Sequence, residues 1–538
     1  MEKKQFTKDE LNKLNKEDLI KLLISQQNTL CEMGEKLEFL MDQVKLSNAG
    51  RFGRSSEKNI LADQLCIFNE AESLLDEAQA SEEPDLEEIT YKRKKKAGKR
   101  EEDLSALPVK IEEHVISEDI LAETFPEGYE RFPDEVYRKL SYQPAVFEVI
   151  EHHIAVYHGK KGGIIRADHP TELLESSIAT PSLCAGIMNA KYVNALPLYR
   201  IEQEFKRRDI HLSRQVMSGW MIKLAERYLS LIYDKMRAHL LSESVIHADE
   251  TPVRVNKDVR KAGSKSYMWV YRSGEKNAHP VVLYDYCKTR KAEHPEEFLE
   301  GFSGYVVSDG YAVYHRLAED HPKGIKVCGC WVHARRRFAD IVKSSGGSDK
   351  RKAKYTLAAY AIEQISQLYD LEKTLKDLSP FERQKERNLT LKPRIEAFFA
   401  WAKAHYGEVP QESNIGKALN YVITQEKYLS TFLEDGDIPL DNNAAERAIR
   451  PFCIGKKNWV MIDTVHGAES SAVIYSIAET AKANGIKPYE YFKYLLTEIP
   501  KHMDETSLDF LDCLLPWASN LPKEYKVKET EETKDAAK

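Results

Sequence analysis

Apolar and polar positions divide the chain into regions of different period. In residues 19–44, apolar side chains recur in alternating steps of four and three, the a/d seam of a coiled coil. The seam consists of Leu19, Leu23, Leu30, Met33, Leu37, Leu40 and Val44, with Gln26 as its polar position. A lone amphipathic helix packed on its own chain would show the same period. We favour self-association, because no further apolar residues broaden the seam consistently.

Between residues 242 and 344, short apolar runs rich in β-branched and aromatic residues alternate with helical patterns. The predicted strands are Val245–Val255, SYMWVYRS, HPVVLYDY, a run ending at Asp309, and IKVCG. A helix at roughly 292–300 precedes the fourth strand, and the helix WVHARRRFADIV follows the fifth. Three strands followed by alternating helices and strands predict a mixed sheet flanked by helices.

Residues 176–241 have a helical period, and Ser213 is the predicted N-cap of their last long helix. In that helix, Val216, Trp220, Leu224 and Tyr228 are predicted to share a buried face, opposite Arg214, Gln215 and Ser218. The pattern resembles a helix-turn-helix, but spacing alone favours a plain helical hairpin. Residues 345–435 are also helical in pattern and carry no strand signal.

Residues 105–175 alternate like strands and predict a small β-rich module. His114, His152, His153 and His158 lie in it, but no cysteine occurs between Cys66 and Cys184. Histidines without thiolates at finger-like spacing are weak evidence for structural zinc. We therefore interpret them as ordinary surface or strand histidines and expect the purified protein to hold no stoichiometric zinc.

Composition indicates a multidomain protein of 538 residues with a net charge of −7. Residues 51–104 form a charged segment that turns from acidic to the basic run YKRKKKAGKR, which is either a solvated linker or a phosphate clamp. Eight scattered cysteines, no signal-peptide pattern and no long apolar run predict a cytoplasmic protein.

Three carboxylates stand out as candidate chemistry. Asp249 lies with Glu250 inside an apolar strand, Asp309 ends another strand, and Glu446 lies on a helix after the turn Asp441-Asn442-Asn443. Two strand carboxylates and one helix carboxylate suit a two-metal phosphoryl-transfer site. The alternative is that Asp249 or Glu250 faces water on an edge strand. Asp441 is the rival of Glu446, and we assign it to helix capping.

Five long motifs occur in order: HADETPVRV, FSGYVVSDGYAVYH, CGCWVHARRRF, LDNNAAERAIRPFCIGKKNW and SSAVIYSIAETAKANGIKPYEYFKYLL. They resemble those of bacterial transposases of the insertion-sequence 66 family, over nearly the whole chain. The resemblance implies a ribonuclease-H-like domain whose Asp-Asp-Glu triad falls on Asp249, Asp309 and Glu446. It also implies two Mg²⁺ ions, or Mn²⁺ as substitute, with terminal inverted repeats and target DNA as partners. Small accessory proteins of the same element are further partners to expect.

The resemblance also implies a two-step reaction. Water cleaves the element ends, and the freed 3′-hydroxyl then attacks target DNA.

One departure from the family pattern concerns the module at 105–175, where relatives carry paired cysteines that this chain lacks.

Basic residues near the motifs are suited to phosphate contact. They are Arg335, Arg336, Arg337, Arg447, Arg450, Lys456 and Lys457. Cys330 and His333 make half of a metal site, and we interpret them as a structural contact near the active site.

The predicted fold class is multidomain α/β: a ribonuclease-H-like catalytic domain with a helical insertion, preceded by a coiled coil and small DNA-binding-type modules. The predicted segments are a zipper at 1–50, a charged linker at 51–104, the β-rich module at 105–175, helices at 176–241, the catalytic domain at 242–344 and 436–465, its insertion at 345–435, and a helical C-terminal region with a charged tail at 466–538. Two other functions share these features: a nuclease that cuts without joining, and a non-catalytic DNA-binding regulator derived from a transposase.

The zipper yields a first prediction. Leu30→Pro removes a backbone donor in mid-helix and should weaken assembly on paired ends while the catalytic core stays folded, because proline costs about 3 kcal/mol inside a helix. Sedimentation velocity of both chains, with and without DNA, measures this. Identical monomers for wild type and variant would contradict the zipper.

Overall fold

The computed structural model describes residues 147–158, 164–168, 170–258, 260, 264–274, 277–320, 324–344 and 356–527. The described residues up to Pro170 belong to one compact unit, and those from Thr171 belong to another. The predicted coiled coil, the charged linker and most of the β-rich module lie outside the described residues.

In the smaller unit, two short strands form an antiparallel hairpin. β1 (Val156–His158) pairs with β2 (Ile164–Arg166), and the Ala167 N–H extends the ladder by donating to the Ala155 carbonyl at 2.9 Å. The alternation predicts a longer first strand, but residues 147–155 are not strand. That expectation is wrong here, because alternation marks a strand only where a partner strand pairs with it.

In the described part of the larger unit, four α-helices precede the main sheet. They are α1 (Pro181–Met188), α2 (Leu198–Lys206), α3 (Arg214–Leu224) and α4 (Ser230–Leu241). Ser213 caps α3 as predicted, since its hydroxyl accepts from the Val216 N–H at 3.3 Å.

The buried face of α3 differs from the prediction at one position. Val216 is exposed, and Met217 and Met221 are buried instead. Steps of four residues drift around a helix of about 3.6 residues per turn, which places Val216 beside the apolar stripe. Trp220, Leu224 and Tyr228 are buried as predicted.

The larger unit contains one five-stranded mixed sheet. Its strands are β3 (Val245–Val253), β4 (Ser266–Ser273), β5 (Val282–Cys287), β6 (Gly304–Ser308) and β7 (Ile325–Gly329). The strand order is β5-β4-β3-β6-β7. The β3–β4 and β4–β5 pairs are antiparallel, whereas the β3–β6 and β6–β7 pairs are parallel. The predicted mixed sheet is therefore confirmed, with β3 as its central strand.

Helices cover the sheet and follow it along the chain. They are α5 (Glu293–Phe298), α6 (Ala312–Asp320), α7 (Trp331–Ser344), α8 (Leu357–Thr374), α9 (Pro380–Glu386), α10 (Lys392–Tyr406), α11 (Asn414–Thr424), α12 (Glu426–Ser430), α13 (Asn443–Trp459), α14 (Val465–Ala483) and α15 (Pro488–Glu498). Within the described ranges, no helix is long and apolar enough to cross a membrane.

Helix α14 covers the outer edge of β5. The Ser476 hydroxyl accepts from the Tyr284 N–H at 2.7 Å, and the Thr480 hydroxyl accepts from the Val282 N–H at 3.0 Å. The Thr480 hydroxyl also donates to the Val282 carbonyl at 2.8 Å. These bonds satisfy the backbone groups that an edge strand otherwise leaves unpaired.

The helices of residues 357–434 share a core with the sheet. Val245 and Val307 of the sheet pack in one buried cluster with Trp331 of α7 and with Phe398 and Phe399 of α10. The Trp331 indole N–H donates to the Leu429 carbonyl at 2.9 Å within the same cluster. These helices are thus packed against the sheet through a common core.

One buried arginine joins these helices to the segment that leads into α13. Arg387 is 1% exposed, and its Nε donates to a Glu372 carboxylate oxygen at 2.9 Å. Its Nη1 donates to the carbonyls of Phe432, Asp435 and Ile438, each at 2.9 Å. The guanidinium therefore fixes the chain just before residues 439–446.

Arg387→Met should lower the free energy of unfolding by about 3 kcal/mol or more, because it leaves Glu372 and three carbonyls without their donor. Urea unfolding measures this. Arg394→Met is the matched control, since exposed Arg394 bonds Gln367 through its side chain, and about 0.5 kcal/mol or less is expected there. Equal losses in both variants would contradict the role of Arg387.

Candidate active site

Strand register places two of the predicted acids at the same level of the sheet. β3 pairs with β6 as far as His247 opposite Val307, and Asp249 and Asp309 each lie two residues beyond that pair. β6 ends at Ser308, whereas β3 continues against β4. Both carboxylates therefore lie where neighbouring parallel strands stop pairing, a common position for ligand sites in open α/β sheets.

The turn after β6 fixes Asp309. Its Oδ1 accepts from the Tyr311 N–H at 2.9 Å, and its carbonyl accepts from the Tyr421 hydroxyl at 3.0 Å. Gly310 has a φ of +85°, and a Cβ there would lie 2.8 Å from the Tyr421 hydroxyl oxygen. Only glycine fits this turn without strain. Gly310 therefore permits the turn in which the Tyr311 N–H and the Tyr421 hydroxyl bond to Asp309.

Glu250 has a different environment from its neighbour Asp249. Its side chain is 1% exposed, and it accepts from Arg290 Nε at 2.8 Å and from the Tyr314 hydroxyl at 2.9 Å. The alternative of an acid facing water on an edge strand is therefore wrong for Glu250, because β3 is central. Burial raises the pKa of Glu250, and the Arg290 guanidinium opposes that rise.

Asn442 connects β3, Cys330 and α13. It is fully buried, and its Nδ2 donates to the Ala248 carbonyl at 2.8 Å. Its backbone N–H donates to the Cys330 sulfur at 3.3 Å, and its carbonyl accepts from the Glu446 N–H at 3.1 Å. One residue therefore sets the position of the first turn of α13 relative to β3.

The fourth partner of Asn442 is His247. Because Nδ2 of Asn442 donates to a carbonyl, its Oδ1 accepts from His247 Nδ1, 3.0 Å away. Burial lowers the pKa of His247 to about 3, so the ring is neutral at pH 7 and this tautomer carries its proton on Nδ1.

Glu446 lies in the first turn of α13, between two groups of α7. Its Oε1 is 3.7 Å from His333 Nδ1, and its Oε2 is 3.6 Å from Arg336 Nη2. Burial lowers the pKa of His333, whereas the nearby Glu446 carboxylate opposes that shift.

The three predicted carboxylates are brought together. Burial raises the pKa of Asp249 well above its usual range, and the negative charges of Glu250, Asp309 and Glu446 raise it further. Asp441, the rival acid, accepts from the Asn443 N–H at 3.0 Å at the start of α13. The arrangement is a group of like charges that a divalent cation would stabilise.

The basic residues predicted for phosphate contact do not form one surface. Arg336 approaches Glu446, Arg337 lies 3.9 Å from the centre of the Tyr421 ring, and Arg335 is half-buried. They diverge because successive helix positions are about 100° apart.

The basic residues of α13 also differ in exposure and in their partners. Lys456 Nζ donates to the Thr251 hydroxyl at 3.0 Å and to the Pro252 carbonyl at 2.8 Å, which ties it to β3. Arg447 and Arg450 are half-buried, and Lys457 is exposed. Burial lowers the pKa of Arg447, with the positive charges of Arg272 and Arg450 adding to the effect. Arg447 and Arg450 therefore concentrate positive charge on α13.

Sequence reasoning missed three residues of this site. Asn442 was predicted only as part of a turn, and neither Arg290 nor His247 was singled out. His247 carried a signal, because a histidine inside an apolar strand needs a buried partner. Arg290 and Asn442 carried none, since their partners are 40 and 194 residues away in sequence.

Comparison with known proteins places this chain among mobile-element proteins. A family model described as "Transposase IS66 family" matches residues 176–470, and one described as "IS66 C-terminal element" matches residues 476–517. A third, described as "Transposase C of IS166 homeodomain", matches residues 40–111, which lie outside the described part of the chain.

Two relatives from Sinorhizobium fredii are similar over much of their length. The uncharacterized protein y4qI is 28% identical over 499 residues, which cover 90% of this chain and 89% of the relative. The uncharacterized protein y4jD is 29% identical over 365 residues, covering 66% of this chain and 69% of the relative.

The raised pKa of Asp249 gives a prediction about stability. Without divalent cations at pH 7, Asp249→Asn should raise the free energy of unfolding by about 1 kcal/mol or more, because ionised Asp249 is disfavoured in the folded state and one pKa unit is about 1.4 kcal/mol. The gain should vanish below the ordinary pKa of 3.8, where Asp249 is protonated in both states.

Urea unfolding at several pH values measures this effect. Asp370→Asn, on an exposed position of α8, is the matched control and should change stability by about 0.5 kcal/mol or less. A less stable Asp249→Asn chain at pH 7 would contradict the prediction.

Proposed function

Since the chain belongs to the IS66 family of transposases, we propose that it binds the ends of an insertion sequence and catalyses DNA cleavage and strand transfer. The proposed catalytic residues are Asp249, Asp309 and Glu446. The observation that carries the proposal is the placement of the three acids: Asp249 and Asp309 lie at the same level of two adjacent parallel strands, and Asn442 fixes the first turn of α13, which carries Glu446, against β3. Acids collected in this way serve metal-assisted phosphoryl transfer.

A ribonuclease-H-like catalytic domain is part of the proposal. Support comes from the mixed sheet of five strands, with one acid on its central strand and one directly after the adjacent parallel strand. The third acid enters on α13, after the helices of residues 357–434. This order agrees with a catalytic fold that is interrupted by a helical insertion.

The donor set fits Mg²⁺, or Mn²⁺ in its place. Asp249, Asp309 and Glu446 offer carboxylate oxygens, the ligands that hard divalent cations prefer. When bound, the cations would supply Lewis-acid activation of the attacking oxygen and stabilisation of the leaving oxygen. Two ions are proposed, as the resemblance implies.

The surrounding residues have supporting roles. The Tyr311 N–H orients Asp309, and the Asn442 carbonyl positions the Glu446 backbone. Arg336, 3.6 Å from the Glu446 carboxylate, is placed to contact a phosphate that approaches the acids. Arg447, Arg450 and Lys457 extend this positive charge along α13.

Each proposed step breaks one phosphorus–oxygen bond and forms another, and only the joining step exchanges one phosphodiester for another. In cleavage, a water oxygen bonds to phosphorus and the 3′-oxygen leaves. In joining, that 3′-hydroxyl bonds to a target phosphorus and a target oxygen leaves. Because the bond energies nearly balance in the joining step, no nucleotide cofactor is required.

DNA recognition is proposed to involve the N-terminal part of the chain. Support comes from the homeodomain description of the model that matches residues 40–111. Self-association through the predicted zipper would bring two element ends into one complex.

The decisive test is cleavage and joining of labelled element-end DNA with Mg²⁺. Asp249→Asn, Asp309→Asn and Glu446→Gln should each reduce both activities by about 10³-fold or more while end binding persists, because each removes a charged ligand from the site. Asp441→Asn is the control: it keeps the oxygen that accepts from the Asn443 N–H, so its effect should be mild.

Two results would contradict this assignment. A Glu446→Gln chain as active as wild type, together with an inactive Asp441→Asn chain, would assign the third carboxylate to Asp441. Cleaved ends without joined product would instead support a nuclease that cuts without joining.

A further inference from the structure

Two residues beside the proposed catalytic acids, Cys330 and His333, form a second cluster of ligand side chains together with Glu446, one of those acids. Cys330 directly follows β7, His333 lies in the first turn of α7, and Glu446 lies in the first turn of α13. Their ligand atoms all lie within 4.8 Å of one another. We propose that Cys330, His333 and Glu446 bind a transition-metal ion of the Zn²⁺ class.

The facing atoms of His333 and Glu446 are suited to a shared cation. Nδ1 of His333 and Oε1 of Glu446 are buried 3.7 Å apart, and neither has a hydrogen-bond partner among the described residues. Buried polar atoms normally have one, so this pair calls for an explanation. The other Glu446 oxygen is near Arg336, which leaves Oε1 available to a metal.

Two backbone N–H groups donate to the Cys330 sulfur: the Asn442 N–H at 3.3 Å and the His333 N–H. Burial and the negative charges of Asp441 and Glu446 raise the pKa of the Cys330 thiol, and these two bonds oppose that rise. The thiolate that ligates metals therefore needs the positive charge of the ion itself. The sulfur is fully buried, whereas His333 and Glu446 are partly exposed.

The donor set selects the kind of ion. One thiolate, one imidazole and one carboxylate suit Zn²⁺ or Co²⁺, whereas Mg²⁺ prefers oxygen ligands alone. Three protein ligands leave a fourth position open. Glu446 would thus have a hard-metal site toward Asp249 and Asp309 and a softer one toward Cys330 and His333.

Zn²⁺ bound at this site would regulate cleavage, an inference that rests on the proposed function. Glu446 bound to Zn²⁺ at Cys330 and His333 is drawn away from the catalytic cations, so Zn²⁺ should inhibit cleavage. Metal binding itself does not depend on catalysis and is tested separately.

Co²⁺ titration of the metal-free full-length chain tests the site. The wild type should develop a thiolate-to-cobalt charge-transfer band that Zn²⁺ abolishes by displacement. Cys330→Ser should lose this band, because it removes the thiolate ligand. Cys328→Ser is the matched control, since Cys328 is also buried, only two residues away in β7, and should keep the band.

Two outcomes would overturn the proposal: no charge-transfer band in the wild type, or a band of equal intensity in Cys330→Ser. If Cys330→Ser does not fold, His333→Asn replaces it as the test variant. This change keeps the Cys330 thiol, alters only the partly exposed helix position 333, and should weaken Co²⁺ binding. Unchanged Co²⁺ affinity in His333→Asn would also overturn the site. None of these readouts requires cleavage, so they fail or succeed independently of the proposed catalysis.

Discussion

The hydrogen bonds of Asn442 are the constraint on which the candidate site depends. Its side chain bonds the Ala248 carbonyl and the His247 ring on the central strand. Its backbone bonds the Cys330 sulfur and the Glu446 N–H. Since Asn442 is fully buried, each of these groups would be left unsatisfied without it. The first turn of α13 therefore has one position relative to β3, and Glu446, which lies in that turn, is fixed with it.

The helices of residues 357–434 contribute to the same geometry from a distance. Their core includes residues of the sheet, and Arg387 bonds three carbonyls of residues 432–438. That segment leads directly to Asn442. Helices packed in this way do more than lengthen the chain, because they fix the approach of Glu446 to Asp249 and Asp309.

The acids of the site are sorted by their partners. Glu250 has a guanidinium and a phenol hydroxyl, which offset the cost of burying its charge. Burial raises the pKa of Asp249, and the charges of its three carboxylate neighbours raise it further. Two adjacent residues of one strand thus differ in role because consecutive side chains point to opposite faces of the sheet. Glu250 is held by Arg290 and Tyr314, and Asp249, which lacks such partners among the described residues, is the one we propose as a cation ligand.

Local patterns determined much of this protein. Strand and helix periods in the sequence predicted the mixed sheet, the helices around it and the Ser213 cap, because these depend on neighbours within a few residues. Motif chemistry singled out Asp249, Asp309 and Glu446 without their mutual position. Tertiary structure alone decided that β3 is central, that Val216 is exposed, and that Arg290 pairs with Glu250. It also decided that Cys330 and His333 meet Glu446. These contacts join residues 40 to more than 100 positions apart in sequence, and only the packing of whole elements brings such groups together.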